Sequence, residues 1–225
     1  MLRKRIIPLL LIDNNKLVKT ISFKNPSYVG DPINTVKIFN EKKIDELIIL
    51  DISSRKKGKI NFQLIEEIAG ECRMPFSYGG GIDDEEQVEK LFSIGVEKII
   101  LNNPILNDTS TIKKFSKKYG SQSIVLSVNL MPNLFGQYKV YDWLKGKNTN
   151  IDLSTFLEKC IQEGIGEVIL TFVDKEGSLK GLNHEVFNKL KLNVDVPIII
   201  NGGINSHENI KTLFKKCNIE AIAVG

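Results

Sequence analysis

The sequence predicts a single (β/α)8 barrel over residues 1–225, with eight parallel strands closing a ring and helices covering its outside. Three observations carry this expectation. Apolar, β-branched runs alternate with amphipathic stretches from one end of the chain to the other, the pattern of repeated βα units and a parallel sheet. The chain has 225 residues, near the size at which such a barrel forms one unit. A motif also repeats about half a chain apart: Gly79-Gly80-Gly81-Ile82 after the third run returns as Asn201-Gly202-Gly203-Ile204 after the seventh. The first and fifth strands match at similar spacing, so the barrel reads as two copies of a half, with two similar binding sites on one rim.

The elements follow in order. Strand one is expected at Arg5–Leu11, and Asp31-Pro32 then starts a helix over Pro32–Lys43, aspartate and proline being N-terminal signals. Strand two, Glu46–Asp51, precedes a helix at Asn61–Glu71 with Gly70 at its end. Strand three, Pro75–Tyr78, leads through the glycine cluster to a helix over Asp84–Ile94, opened by Asp83 and stopped by Gly95. Strand four, Lys98–Asn102, is followed by a helix at Thr109–Tyr119 that ends at Gly120. After strand five, Ser123–Asn129, the segment Tyr138–Trp143 reads as an inserted hairpin, and the helix Leu153–Glu163 ends at Gly164. The hairpin's interleaved aromatics fit a small satellite core or a stacking platform. Strand six, Glu167–Phe172, pairs with a helix at His184–Leu192, and strand seven, Pro197–Asn201, with one at His207–Lys216 that Ser206 begins. Strand eight, Glu220–Val224, has no helix after it, so a final helix is expected to be missing.

Composition excludes several classes. Hydrophobic residues make up 42% and charged residues 26%, ordinary globular values that leave no reason to expect disorder. The net charge of +4 is not concentrated in one window, so nucleic acid is not an expected partner. The densest basic stretch, Arg55-Lys56-Lys57-Gly58-Lys59, reads as a solvated loop whose charge could attract an anionic substrate. Cys72, Cys160 and Cys217 form no CxxC pair, which gives no metal site and no disulfide framework. The opening Met1–Arg5 leads into the apolar run Ile6–Ile12, but no small-residue cleavage site follows and the run is too short to span a bilayer. A cytoplasmic protein without membrane segments is therefore expected. His184 and His207 fall at helix starts as surface residues.

In such barrels chemistry sits at the C-terminal ends of the strands. Those ends carry Leu11, Asp51, Gly79–Gly81, Asn102-Asn103, Asn129, Thr171–Asp174, Asn201–Gly203 and Val224-Gly225. The two glycine clusters precede helices with free backbone N–H groups, which makes them natural phosphate cradles. At the opposite mouth, Arg5, Glu46, Lys98 and Glu167 begin strands one, two, four and six, where a barrel interior should be apolar. Two cations and two anions at one depth fit a closed ring of ion pairs, and burial is tolerable only if they pair. A polar ring in a barrel floor is useful only if something small passes through it.

Taken together, Lys4-Arg5-Ile6-Ile7-Pro8, Asp45-Glu46-Leu47, Leu50-Asp51-Ile52, Pro75-Phe76, Gly79-Gly80-Gly81-Ile82, Tyr119-Gly120-Ser121-Gln122 and Gly202-Gly203 resemble the cyclase subunit of imidazole glycerol phosphate synthase. The resemblance covers essentially the whole chain. It implies a (β/α)8 barrel, no cofactor and no metal, and a glutaminase partner docked on the N-terminal face. Ammonia would travel through the barrel to a bis-phosphorylated formimino ribonucleotide. Position by position, Arg5, Glu46, Lys98 and Glu167 match the family's ammonia gate. Gly80, Gly81, Asn102 and Asn103 match one phosphate site, and Gly177, Gly202, Gly203, Val224 and Gly225 the other. Lys19 matches a lysine near the substrate, and Asp51 and Gln122 match polar positions on the rim.

The departures are as informative. The family's two catalytic aspartates end strands one and five, and here those positions hold Leu11 and Asn129. Neither side chain can act as acid or base near neutral pH. Asp13 or Asp174 would have to substitute, and Asn201 and Glu176 point to an altered ligand. An intact gate without the proton-transfer pair is similar to a second lineage, barrels associated with glycosyl amidation in bacterial surface-polysaccharide synthesis. The expectation is an ammonia conduit with a glutaminase partner and a phosphorylated small-molecule ligand. The alternatives are a genuine cyclase of histidine biosynthesis, a non-catalytic scaffold that activates the glutaminase, and a related isomerase barrel such as aminoimidazole carboxamide ribotide isomerase. That isomerase would also require the two missing aspartates.

Overall fold

The computed structural model describes residues 3–190, 192 and 194–225. In chain order its elements are β1 (Arg5–Asp13), β2 (Lys16–Ile21), β3 (Lys24–Gly30), α1 (Pro32–Lys42), β4 (Leu47–Asp51), α2 (Ser54–Lys57), α3 (Phe62–Glu71), β5 (Phe76–Gly79) and α4 (Glu85–Ile94). They continue with β6 (Lys98–Leu101), α5 (Asn103–Asn107), α6 (Ser110–Tyr119), β7 (Ile124–Pro132), β8 (Tyr138–Asp142), β9 (Lys147–Asn148), α7 (Leu153–Gln162), β10 (Glu167–Phe172), α8 (Glu185–Leu190), β11 (Ile198–Asn201), α9 (His207–Lys216) and β12 (Ala221–Val224).

Eight of the strands close the expected barrel. Parallel pairings run β10-β11-β12-β1-β4-β5-β6-β7, and β7 pairs back onto β10 in parallel, with Thr171 opposite Asn129. Closure leaves no free edge, so every barrel strand can satisfy its backbone on both sides. Register sets which side chains point inward, because alternate residues face opposite sides of a strand. Ile7, Leu9, Ile48, Ile100, Val125, Ile169, Ile199, Ala221 and Ala223 form one buried cluster, the barrel interior. The other face of each strand joins a larger layer beneath the helices, where Ile49, Tyr78, Leu126, Leu170 and Ile200 meet Val36, Ile68, Leu91, Ile112, Leu157 and Leu213.

The seven helices expected on the outside are present, and their caps follow from the sequence. Asp31 accepts from the Asn34 N–H, Asp84 and Gln87 form a capping box, Asp152 accepts from Thr155 N–H, and α4 stops at Gly95 in the left-handed region. Helix boundaries shift by one residue at most. The exception is the helix expected at His184–Leu192, which is α8 up to Leu190; Lys191 lies outside the described residues. Among the described residues no helix is long and apolar enough to cross a membrane.

Two hairpins ride on the barrel. β7 runs past the rim to Pro132 and turns into β8 and β9, the expected insertion. β1 likewise extends to Asp13 and turns into β2 and β3, a hairpin the sequence did not reveal. The reason lies in exposure. All of β3 up to Val29 is exposed, so no apolar alternation marks it, and its turns use Asn14, Asn15, Ser22, Phe23 and Asn25 at positive φ instead of glycine.

Candidate functional site

The charged residues at the strand starts come together as a closed square. Arg5 Nη1 donates to Glu46 Oε2 at 2.6 Å and its Nη2 to Glu167 Oε1. Lys98 Nζ donates to Glu46 Oε1 at 2.8 Å and to Glu167 Oε2 at 2.9 Å. Each carboxylate thus bridges both cations, and the ring carries no net charge. Glu46 and Glu167 are buried, with side chains 8% and 6% exposed. Burial alone would lower the pKa values of Arg5 and Lys98, but the hydrogen bonds and charges of Glu167 and Glu46 more than offset it, so both are raised. The ring closes the N-terminal mouth. Above it stands the apolar interior, narrowest in side-chain bulk at Ala221 and Ala223 on β12.

At the other end the strands open into a cavity of about 540 Å³. Its floor is neutral. Leu11 and Leu50 stand beside Ser127, Asn129, Asn102, Thr171 and Asn201, of which Ser127, Asn129, Thr171 and Asn201 are buried. The asparagines bond to neighbours on the same floor: Asn102 Nδ2 donates to the Ser127 carbonyl at 2.8 Å, and Asn201 Nδ2 to Thr171 Oγ1 at 3.2 Å. Among the described residues no acid or base stands on this floor. Asp51 is at the wall, but its Oδ1 accepts from Ser53 N–H, Ser53 Oγ and Ser54 N–H at 2.8–2.9 Å, which makes it a cap for the next turn. Asp13 lies outside the cavity lining.

The glycine turns line opposite sides of the cavity, Gly80-Gly81 with Asn102 and Asn103 on one, Gly177, Gly202, Gly203, Val224 and Gly225 on the other. Their residue type is forced. A Cβ on Gly80, at φ +132°, would lie 2.2 Å from the Asp51 carbonyl oxygen, and one on Gly177, at φ +66°, 1.9 Å from that of Thr20. The caps of the following helices take one N–H each, Asp84 that of Gln87 in α4 and Ser206 that of Asn209 in α9, so the amides of the turns add to the first-turn donors that remain.

Two further expectations are overturned. Gln122 lies on the 3-10 turn Ser121–Ser123 that enters β7 from below, exposed, with its Nε2 donating to the Tyr119 carbonyl. A residue preceding a barrel strand belongs to the N-terminal face, away from the cavity. Asp174 follows its strand but turns outward, accepting from Tyr138 Oη at 3.0 and 3.2 Å and pairing with Lys175 at 3.2 Å. It is not among the residues that line the cavity. Lys19, Asp51 and Asn201 do line it, as expected.

Other lining groups escaped sequence reasoning. The β2–β3 hairpin lies across the cavity mouth, with Lys19, Thr20, Ile21 and Phe23 in the lining. Glu176 latches its turn from the far side: Thr20 Oγ1 donates to Oε1 at 2.8 Å, Phe23 N–H to Oε2 at 3.0 Å, and Ser22 N–H to the Glu176 carbonyl at 3.0 Å. The inserted hairpin divides its aromatics between the two roles open to it. Tyr138 packs edge-on against Phe172, 5.0 Å between centroids, while Trp143 reaches the cavity.

Asp142 ties that hairpin to the rim. Its Oδ1 accepts from Asn103 Nδ2 at 2.5 Å and from the N–H groups of Leu144 and Lys145 at 3.1 Å. Burial would raise its pKa, but these donors and the Lys145 charge outweigh it and hold Asp142 below the usual aspartate range. A depressed folded value means stability that is present above the unfolded pKa, about 3.9, and lost as pH falls through the folded one. Trp143 is the only tryptophan in the sequence. Its fluorescence is expected to change on acidification below about pH 4 in the parent. In Asp142→Asn that acid-dependent change should disappear.

Among the described residues no group of three or more His, Cys, Asp or Glu side chains could hold a metal ion. The three cysteines are free, two buried and one half-buried, and burial raises the pKa of each thiol.

Comparison with known proteins matches this architecture. The model of a family described as histidine biosynthesis protein covers residues 5–225. A Pseudomonas aeruginosa chain, provisionally named imidazole glycerol phosphate synthase subunit hisF2, is 42% identical over 226 residues, all of this chain and 90% of that one. A provisionally named HisF subunit from Leptospira borgpetersenii is 42% identical over 227 residues, all of this chain and 89% of its own. The Streptococcus mutans chain carries the unqualified name imidazole glycerol phosphate synthase subunit HisF. It is 31% identical over 217 residues, 96% of this chain and 86% of that one.

Proposed function

Because the chain belongs to the histidine biosynthesis protein family, we propose that it is the ammonia-carrying barrel subunit of a glutamine amidotransferase pair, repurposed for amidation in bacterial surface-sugar synthesis. The observation that carries this reading is a contrast within one barrel. The ring of Arg5, Glu46, Lys98 and Glu167 is complete at the N-terminal mouth, while the floor of the C-terminal cavity holds Leu11 and Asn129 and no group able to move a proton. Four charges in a partly buried ring are a poor way to stabilise a barrel, since well-packed apolar residues serve as well or better. A device that opens for a small neutral molecule gives them a reason to be there.

In this reading a glutaminase partner docks over the ring and releases ammonia beneath it. One ion pair opens, ammonia enters as the neutral base, and the apolar interior favours that form over ammonium, because an isolated charge is costly to bury. The cavity binds a phosphorylated small molecule between the two glycine turns, and the hairpin latched by Glu176 keeps water out. The relatives with provisional subunit names are more similar to this chain than the plainly named one, which supports a divergent branch.

A second reading, the genuine cyclase of histidine biosynthesis, is favoured by family membership and by similarity along nearly the whole chain. The deciding experiment supplies ammonium salt and the formimino ribonucleotide to the purified chain and follows substrate loss by absorbance. No measurable turnover is expected from folded protein. Turnover at an ordinary enzymatic rate, on the order of 1 s⁻¹ or more, would establish the cyclase and remove the repurposing reading.

A further inference from the structure

The basic stretch at Arg55–Lys59 reads in sequence as a solvated loop, but its first three residues belong to a helix and leave only Gly58 and Lys59 outside it. Arg55 differs from Lys57 and Lys59 in where its side chain goes. It lies in α2, the single helical turn that follows β4, and its side chain lines the cavity at 32% exposure. Lys57 and Lys59 are exposed and take no part in the lining.

The position is set by close contacts. Asp51 Oδ1 caps the turn through Ser53 and Ser54, which fixes where α2 starts. Ser54 in turn packs directly under the first glycine cluster: a Cβ on Gly81 would come within 2.9 Å of its Oγ. The residue after Ser54 is therefore held beside the Gly80-Gly81 turn. Its guanidinium crosses to Asp83, two residues beyond that turn, and Arg55 Nη1 donates to Asp83 Oδ1. Among the described side chains the other cation in the lining is Lys19, on β2.

We propose that Arg55 is the anion-recognition side chain of the first glycine turn, and that Asp83 holds it until a phosphomonoester takes the carboxylate's place. The proposal deepens the phosphate-ligand reading and rests on it. Three features support it. A guanidinium presents paired donors that suit a phosphate, and a dianionic phosphate attracts it more strongly than one carboxylate does. Both partners of the existing pair are partly exposed, at 32% and 47%, so exchanging one anion for another requires no buried charge to be stranded. Backbone amides at Gly80 and Gly81 supply directional donors but no net charge, and Arg55 adds the charge they lack. The ligand class follows: a sugar phosphate or similar phosphomonoester, with its phosphate end at Gly80-Gly81 and its remainder over the neutral floor.

The test titrates inorganic phosphate and, separately, ribose 5-phosphate into the full chain. Dissociation constants are measured by calorimetry, and the Gly80 and Gly81 amide shifts are followed by NMR. Arg55→Met is expected to weaken both ligands by about ten- to a hundredfold, the range for a lost charge-assisted hydrogen bond. Asp83→Asn should tighten both several-fold by removing the competing anion, and it serves as the control if Arg55→Met folds poorly. Arg55→Lys should recover only part of the loss, because an ammonium cannot bind in a fork. If the parent binds phosphate and perturbs Gly80 and Gly81 but both substitutions leave the constants unchanged, the role of Arg55 is wrong and the phosphate reading survives. If the parent binds neither ligand, both fall.

Discussion

Leu11→Asp combined with Asn129→Asp is expected to raise ammonium-dependent cyclisation of the formimino ribonucleotide by about 10²- to 10⁴-fold over the parent chain, the usual contribution of general acid–base catalysis. The two positions end β1 and β7, on strands half a barrel apart, and both line the same cavity. Leu11 sits at the edge of the apolar interior beside Leu50, so a carboxylate there would feel low polarity and be driven upward in pKa, towards the role of an acid. Asn129 is buried at 6% exposure with its Nδ2 near Asn102 Oδ1, at 3.5 Å. A carboxylate in its place would face that oxygen, and the Asn102 amide must rotate to present a donor. Each single change should do little, since groups that act as a unit fail together. The check is the initial rate by absorbance for parent, both singles and the double. A double variant no faster than the parent would mean that the cavity, and not the acid–base pair alone, has moved away from that substrate.

Glu167→Ala is expected to destabilise the protein by about 3–5 kcal/mol, because it leaves Arg5 and Lys98 sharing one carboxylate in a partly buried ring. For a chain of this size that corresponds to a melting temperature lower by roughly 6–20 °C. Replacing all four ring residues together by apolar ones of similar size should be far milder, since no charge is then left unpaired. The pair of experiments separates two reasons for the ring's presence. If the apolar version is as stable as the parent yet passes no ammonia from a bound glutaminase, the ring is kept for passage and not for stability. The effect of pH is also fixed in sign. Arg5 and Lys98 have raised pKa values when folded, so their contribution is fully present below the unfolded lysine value, about 10.4. It is lost only as pH rises through the folded values. Thermal melts between pH 6 and 9 should therefore show the same penalty for Glu167→Ala.

The barrel and its ring were legible because both follow from alternation along strands. Arg5, Ile7, Leu9 and Leu11 share the inward face of β1 by their spacing of two, and Lys98 and Ile100 do the same on β6. A charge at the first inward position of four strands thus already specifies one ring. The glycine turns were legible for a related reason: only glycine tolerates a carbonyl oxygen where its Cβ would be. Gln122 and Asp174 misled because a polar residue next to a strand end announces neither which end of the barrel it serves nor which way it turns.

By itself, then, the sequence determined the order of strands and helices, the helix caps, the inward faces, the paired charges at the lower mouth and the neutral residues Leu11 and Asn129 at two strand ends of the upper one. These depend on local spacing and on residue chemistry, which the chain carries with it. Only the tertiary structure decided that an exposed hairpin lies across the cavity under Glu176, and that Asp142 anchors Trp143 at its edge. It also decided that one arginine of a basic run faces the first glycine turn. Each of those contacts joins loops far apart in sequence through polar groups with no periodicity, and such contacts exist only once the closed barrel holds the loops on one rim.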